Sequence, residues 1–260
     1  MPGNNRKKRA LNTVNSLQEM RSRLLNSNSP FAAVEAYKAT RTNLLFTKAG
    51  DGCQTIVFTS SFSAEGKTLN CANLAKTIAQ NGQKVLLIDA DMRRPMVSRL
   101  FQTPKEHGLS ECLAGILNTE QSGETVDSLL IEKEPNFYIL PSGQIPPNPA
   151  ELLASKQMED LIKELSWQFD YVLIDTPPVS VVTDALVLTK MVSGYVLLVH
   201  AGTTQLNELQ NTVQRLEQVG ANIYGFILNN VDVKSGSYKY HNYSNYSAKR
   251  YSKYAYKDAD

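Results

Sequence analysis

Six short runs of apolar, β-branched-rich residues punctuate the middle of the chain: Thr55–Thr59, Val85–Asp89, Phe137–Leu140, Tyr171–Asp175, Tyr195–Val199 and Ile223–Leu228. They are apolar on both faces, as expected of buried parallel strands covered by helices and not of a half-exposed antiparallel sheet. Between them, amphipathic stretches predict helices over Thr68–Gln80, Ala150–Leu165 and Leu206–Val219. Gly82 and Gly220 stand just past two of these, where a residue that adopts left-handed φ at little cost stops a helix. Strand, helix, strand repeated at this spacing implies right-handed crossovers and an α/β fold with a doubly wound, mostly parallel sheet.

The two ends do not share this pattern. Residues 1–34 form a basic N-terminal arm, with six Lys/Arg against the single acid Glu19 as far as Arg23. So polar a segment buries too little apolar surface to offset its ordering entropy and is expected to be flexible. The body is expected over 35–232. In 233–260 the periodicity stops and the chain becomes Tyr, Ser, Lys and Asn.

Composition changes this picture little. The chain has 260 residues, 42% hydrophobic and 20% charged, with a net charge of +2, which excludes collagen-like, coiled-coil and fully disordered chains. Cys53, Cys71 and Cys112 lie far apart, which fits a reducing compartment and argues against a zinc site. There is no run of about 18 apolar residues and no apolar core after the basic Arg6–Arg9, so a cytoplasmic protein is expected.

The chemistry concentrates at three strand ends. After Thr55–Thr59 comes Ser60-Ser-Phe-Ser-Ala-Glu-Gly-Lys-Thr68, a strand, a loop and then a helix. This is the context of a P-loop, whose backbone amides and helix N-terminus surround phosphates while Lys67 reaches the β- and γ-oxygens and Thr68 binds Mg²⁺. Ser61 stands where the usual pattern has its first Gly. Val85–Asp89 leads into Asp89-Ala-Asp91-Met-Arg93, two acids that extended backbone would place on one side, and Tyr171–Asp175 ends in a third acid of Walker B form. A lone strand-end Asp is usually a cap or turn residue. Three on two strands beside a P-loop mark a Mg-nucleotide site and a fold of P-loop NTPase type.

These signatures resemble those of the bacterial tyrosine kinases, specifically the free cytosolic kinase of Gram-positive capsule and exopolysaccharide systems. The resemblance covers Glu35 to Asn229 and rests on Glu65–Thr68, on Asp89, Asp91 and Arg93, on Asp175-Thr-Pro-Pro178 and on Pro146–Leu153. Ser63 replaces a Pro common in the family's loop, and the family's Glu-x-x-Arg-x-x-Arg assembly motif reads Glu35-x-x-Lys38-x-x-Arg41 here, three residues that one helical face would carry. The resemblance implies ATP and Mg²⁺ as cofactors. Phosphate would be held by Lys67 and the backbone of Ser63, Ala64, Glu65, Gly66, Thr68 and Leu69, and metal by Thr68, Asp91 and Asp175. Asp89 or Asp91 would serve as base, with those two roles not divided. Arg93 would meet phosphate or a neighbouring subunit, and Asn229 would read adenine. It also implies a membrane adaptor, a polysaccharide co-polymerase whose cytosolic segment recruits the kinase to the inner face of the plasma membrane. A homo-oligomer, a ring among its forms, and an opposing tyrosine phosphatase complete the expected partners.

Seven of the twelve tyrosines, Tyr238, Tyr240, Tyr243, Tyr246, Tyr251, Tyr254 and Tyr256, fall in the tail among residues with almost no aliphatic partner. The resemblance makes them autophosphorylation sites. Residues 234–257 hold six Lys/Arg and no acid. Each phosphate adds about −1.5 to −2 charges, so three or four would reverse the tail's sign, which is expected to weaken tail-in-site contacts between subunits. A basic aromatic tail could instead stack on single-stranded nucleic acid, but the kinase body upstream argues against a nucleic-acid partner. Two rival classes are a deviant Walker A switch ATPase and a nucleotide-binding scaffold. The first needs a signature Lys where Phe62 stands and Gly at 63 and 64, and it explains no tyrosine cluster.

Overall fold

Seven strands form one sheet in the computed structural model, which describes residues 17–47, 52–115 and 125–231. They are β1 (Gln54–Ser60), β2 (Val85–Asp89), β3 (Ile131–Glu134), β4 (Phe137–Leu140), β5 (Tyr171–Asp175), β6 (Gly194–His200) and β7 (Ile223–Asn229), in the spatial order 3-4-2-5-1-6-7. All neighbours are parallel except β3 with β4. The helices are α1 (Phe31–Phe46), α2 (Lys67–Ala79), α3 (Val97–Phe101), α4 (Leu109–Leu113), α5 (Val126–Leu129), α6 (Pro149–Leu153), α7 (Lys156–Ser166) and α8 (Leu206–Gln218).

The unbroken apolar runs are explained by the two cores they serve. Successive strand residues point to opposite faces. Val57, Leu86, Ile88, Val172, Ile174 and Leu197 pack with Met158, Leu161, Ile162 and Leu165 of α7 and Leu216 of α8. Their neighbours Ile56, Phe58, Leu87, Leu173 and Leu198 pack with Leu74, Ala75 and Ile78 of α2. Each such aliphatic side chain contributes roughly 1.5–3 kcal/mol by leaving water, and the summed burial fixes which strand ends lie beside the phosphate loop.

The structure departs from expectation at five places. The helix expected over Ala150–Leu165 is two, because Ser155 is extended (ψ 161°) and caps α7 by accepting from Met158 N at 3.3 Å. The β3 edge strand was not foreseen, since Ile131-Glu-Lys-Glu134 is short, half-exposed and lacks the apolar signal. The run Ile223–Leu228 is an edge strand and not a doubly covered one: Phe226 and Leu228 are 54% and 42% exposed. Gly143 approaches Ser110 and Glu111 of α4 so closely that no side chain fits, a long-range packing demand that periodicity does not encode.

The fifth departure concerns the N-terminal arm. Residues 17–22 are helical, α1 begins at Phe31, four residues before the expected boundary, and Leu25 is 5% exposed with its amide donating to Asn73 Oδ1 of α2 at 2.8 Å. At the other end, contacts divide the chain into Met1–Asn229 and Asn230–Asp260. The seven tail tyrosines lie outside the described residues.

Candidate active site

Between β1 and α2 the chain turns through Ala64 (φ 67°) and Gly66 (φ 90°), both left-handed. Amides in such turns form concave anion nests, and here the nest opens at the N-terminus of the thirteen-residue α2. The Glu65 side chain, 3% exposed, ties the loop down. Its Oε2 accepts from Phe62 N at 2.9 Å and its Oε1 accepts from the Thr204 hydroxyl, which itself accepts from His200 N at 2.9 Å. Asn229 Nδ2 donates to the Glu65 carbonyl at 3.0 Å. Asn229, expected to read adenine, thereby also buttresses the loop from the end of β7. Lys67, at the first turn of α2, is 8% exposed, its stem packed and its ammonium close enough to pull on the Asp91 and Asp175 carboxyls.

The three acids have different surroundings. Asp175, at the end of β5, accepts from Thr68 Oγ1 at 2.6 Å through Oδ2, while its buried Oδ1 has no partner among the described residues. Asp89 is its register neighbour on β2 and is fully buried. Asp89 Oδ2 accepts from Val97 N at 2.9 Å, capping α3, and its Oδ1 is likewise unpartnered. Burial pushes the Asp175 carboxyl up to about 7 against the opposing pull of Lys67 and Thr68. Burial, then the nearby Asp175, raises Asp89 well above the carboxylate range. Asp91 lies past the end of β2, where the chain turns (Arg94 N to Asp91 O, 3.1 Å), and is only partly covered. Burial raises it too, while the Arg94 amide and Lys67 lower it. The strand ends at Asp89, so the strand alternation expected to relate the two acids is not carried on through Asp91.

A hydroxyl held by a carboxylate and two orphaned buried carboxylate oxygens on adjacent strands are what a hard divalent cation and its bound waters would satisfy. The residues present therefore fit Mg²⁺. Among the described residues no cluster of three His, Cys, Asp or Glu is placed to hold an ion by itself, so the phosphates would supply much of the coordination.

Two residues that the sequence reading did not single out complete the surroundings. Arg93 forms a two-pronged pair with Asp184, Nε to Oδ2 at 2.9 Å and Nη2 to Oδ1 at 3.0 Å. Asp184 is fully buried, and its one sequence signal was an acid isolated in the apolar stretch Val181–Leu188. Thr204 left no signal at all. On α1, Glu35 and Lys38 pair at 2.9 Å on the surface, whereas Arg41 Nη1 donates to the Thr77 carbonyl in the last turn of α2 at 3.0 Å. Of the three expected assembly residues, Glu35 and Lys38 are thus paired with each other and Arg41 is tied to α2. Tyr37 OH, from the same helix, donates to Asn70 Oδ1 of α2 at 3.0 Å.

Gly66 tests the cradle directly. A Cβ there would lie 2.2 Å from Asn229 Nδ2 and 3.1 Å from Asn70 Nδ2, on backbone at φ 90°. Gly66→Ala is expected to destabilise the chain by about 1–3 kcal/mol and to remove nucleotide binding, checked by urea unfolding and titration with a fluorescent ATP analogue.

A family model described as an AAA domain matches residues 53–234. Tyrosine-protein kinase YwqD of Bacillus subtilis (strain 168) is 37% identical over 195 residues, covering 75% of this chain and 80% of YwqD. The solved kinase domain of Escherichia coli tyrosine kinase ETK superposes with a TM-score of 0.73 at 37% identity, over 82% of this chain and 84% of that one. The whole Etk protein of E. coli K12 is much longer: this chain spans 28% of it, at 38% identity over 213 residues. The septum site-determining protein MinD of Pyrococcus horikoshii shares the fold alone, at 24% identity and a TM-score of 0.56 over 68% of this chain and 70% of that one. The extent and identity of the matches to YwqD and ETK leave one conclusion: this chain belongs to the bacterial tyrosine kinase family.

Proposed function

We infer that the chain is an ATP-dependent protein-tyrosine autokinase that phosphorylates its C-terminal tyrosine cluster and thereby regulates the synthesis and export of capsular or extracellular polysaccharide. The observation that carries this reading is Thr68 Oγ1 held on Asp175 at 2.6 Å beside the unpartnered carboxylate oxygens of Asp175 and Asp89. Lys67 and the backbone amides of residues 63–69 hold the phosphates, and Thr68, Asp91 and Asp175 are the residues that would hold Mg²⁺. When bound, the metal neutralises charge on the phosphate oxygens. The acceptor phenol oxygen attacks the γ-phosphorus, the bond from that phosphorus to the β,γ-bridging oxygen breaks, and ADP leaves. A phenol of pKa about 10 keeps its proton at neutral pH and needs a base. Asp89 or Asp91 takes it, Asp91 being the partly exposed acid of the two. Arg93, positioned by Asp184, lies on the same segment and serves phosphate or a neighbouring subunit.

The partners follow from the family resemblance: the cytosolic segment of a membrane adaptor, further copies of the chain, and a tyrosine phosphatase. Glu35 and Lys38 are the exposed part of the assembly helix, and Arg41 supports it from within. No helix among the described residues is long and apolar enough to cross a membrane, which is compatible with recruitment to the cytoplasmic face by the adaptor.

The test is peptide mapping by mass spectrometry after incubation with Mg·ATP, alone and with the adaptor's cytosolic peptide. Phosphate is expected on tyrosines between Tyr238 and Tyr256. A chain that turns over ATP and carries no phosphotyrosine in either condition overturns the reading.

A further inference from the structure

A cleft of about 440 Å³ opens between the helical turn at 17–22 and α3, lined by Arg21, Ser98, Arg99, Gln102, Thr103 and Lys105, with Leu17 at its edge. Three of these side chains are cationic, and no acid lines the cleft among the described residues. Arg99 and Lys105 are exposed. Arg21 is fixed by donating Nε to the Arg99 carbonyl at 3.1 Å, with Nη2 on the same oxygen. Thr103 is 8% exposed, and its hydroxyl has no partner among the described residues. A buried, unsatisfied hydroxyl beside three like charges is costly unless something else completes the site.

The cleft does not end there. Ser98, Arg99 and Lys105 also line a second hollow of about 440 Å³, whose lining includes Pro95 and one acid, Glu106. Pro95 is four residues past Asp91, so the hollow begins within about 14 Å of that acid by chain reach alone. The helix that carries Arg99 is itself capped by Asp89. The basic cleft is therefore built on the segment that bears the catalytic acids.

We propose that this cleft binds a phosphomonoester dianion, and that its source is a phosphotyrosine already present on the tail of a second copy of the chain. The source rests on the autokinase reading above; the anion site does not. An unmodified tail, with six Lys/Arg and no acid over 234–257, is repelled by Arg21, Arg99 and Lys105. One phosphate adds about −1.5 to −2 charges and three acceptor oxygens at a single point, so the three cations meet a local dianion even though the tail as a whole stays positive. The tail tyrosines stand two to five residues apart, so a phosphotyrosine held in the cleft places an unmodified neighbour within reach of Asp91. The first phosphate then promotes the next, and the cluster fills in bursts and not at random.

The test uses the full chain carrying Lys67→Met, which removes turnover, and a fluorescent peptide of residues 234–248 with and without phosphate on Tyr243. The phosphopeptide is expected to bind about tenfold more tightly, equivalent to about 1.4 kcal/mol, with the advantage shrinking as salt is raised. Arg99→Glu with Lys105→Glu, both on exposed side chains, is expected to abolish the difference while melting as the parent does. Inorganic phosphate at millimolar concentration should compete, and a free-phosphate site without peptide specificity would show as competition at equal affinity for phosphate and phosphopeptide, which overturns the assigned source. Equal binding of the two peptides, an advantage that survives the double substitution, or tighter binding of a single-stranded oligonucleotide than of the phosphopeptide overturns the proposal. Failure of the autokinase reading would leave these binding results unchanged and show only as missing phosphotyrosine in the mapping experiment.

Discussion

Replacing Lys67 with Met is expected to cut phosphotyrosine formation by about two orders of magnitude or more, the usual cost of losing one preorganised charge at developing phosphate negativity. Met keeps most of the packed stem, because a buried lysine contributes apolar methylenes as well as its ammonium, so thermal melting should stay near the parent's. Lys67 also pulls down the Asp91 and Asp175 carboxyls. Its loss should therefore move any residual activity to higher pH, a signature that misfolding would not produce. Phosphotyrosine within threefold of the parent would remove Lys67 from the mechanism.

Asp175→Asn is expected to do two opposite things. Burial holds the Asp175 carboxyl at about 7 in the nucleotide-free chain, above its unfolded value of about 4. The sign follows from linkage. Below pH 4 both states bind the proton and nothing is lost; from pH 4 to 7 the unfolded chain releases it while the folded chain retains it, so folded stability falls as pH rises and levels off above 7. Removing the charge should stabilise the ligand-free chain at pH 8 by roughly 2–4 kcal/mol, about 5–10 °C in melting temperature. Asn Oδ1 can still accept from Thr68, so the loop contact survives. Stabilisation by Mg·ATP should vanish, and kinase activity should fall by about 10²–10³. Calorimetry at pH 5 and pH 8, with and without Mg·ATP, checks each part. An Asn variant that melts below the parent at pH 8 would contradict the buried-charge account.

How much of this was legible beforehand differs by kind of interaction. The six strands, the loop before Lys67 and the three acids are local: each needs only a run of apolar residues and the polar residue that ends it. The motifs implied that Thr68 and Asp175 share a metal site, but the strand order that brings them into direct contact across 107 residues was not readable. What escaped depends on partners distant in sequence. Asn229 holds the Glu65 carbonyl and Arg93 is held by Asp184, pairings across 164 and 91 residues that no spacing encodes. The strand β3 was missed because half-exposed Glu and Lys carry no core signal. Leu25 looked like part of a polar arm because the Leu24-Leu25 pair between polar neighbours cannot announce the Asn73 amide acceptor 48 residues away. Asp89 and Asp91 seemed interchangeable in sequence; burial and the Val97 amide separate them.

The central claim is that phosphate moves from ATP to tyrosine at this site, and a single-turnover experiment with γ-labelled ATP tests it most directly. Protein in excess over labelled Mg·ATP is quenched over time and the label divided between phosphotyrosine and free phosphate. The account predicts that most of the label appears on tyrosine as ATP disappears, with at least about a hundredfold less on the Lys67→Met chain. Label released only as inorganic phosphate would identify a nucleotide switch built on the same sheet and contradict the account.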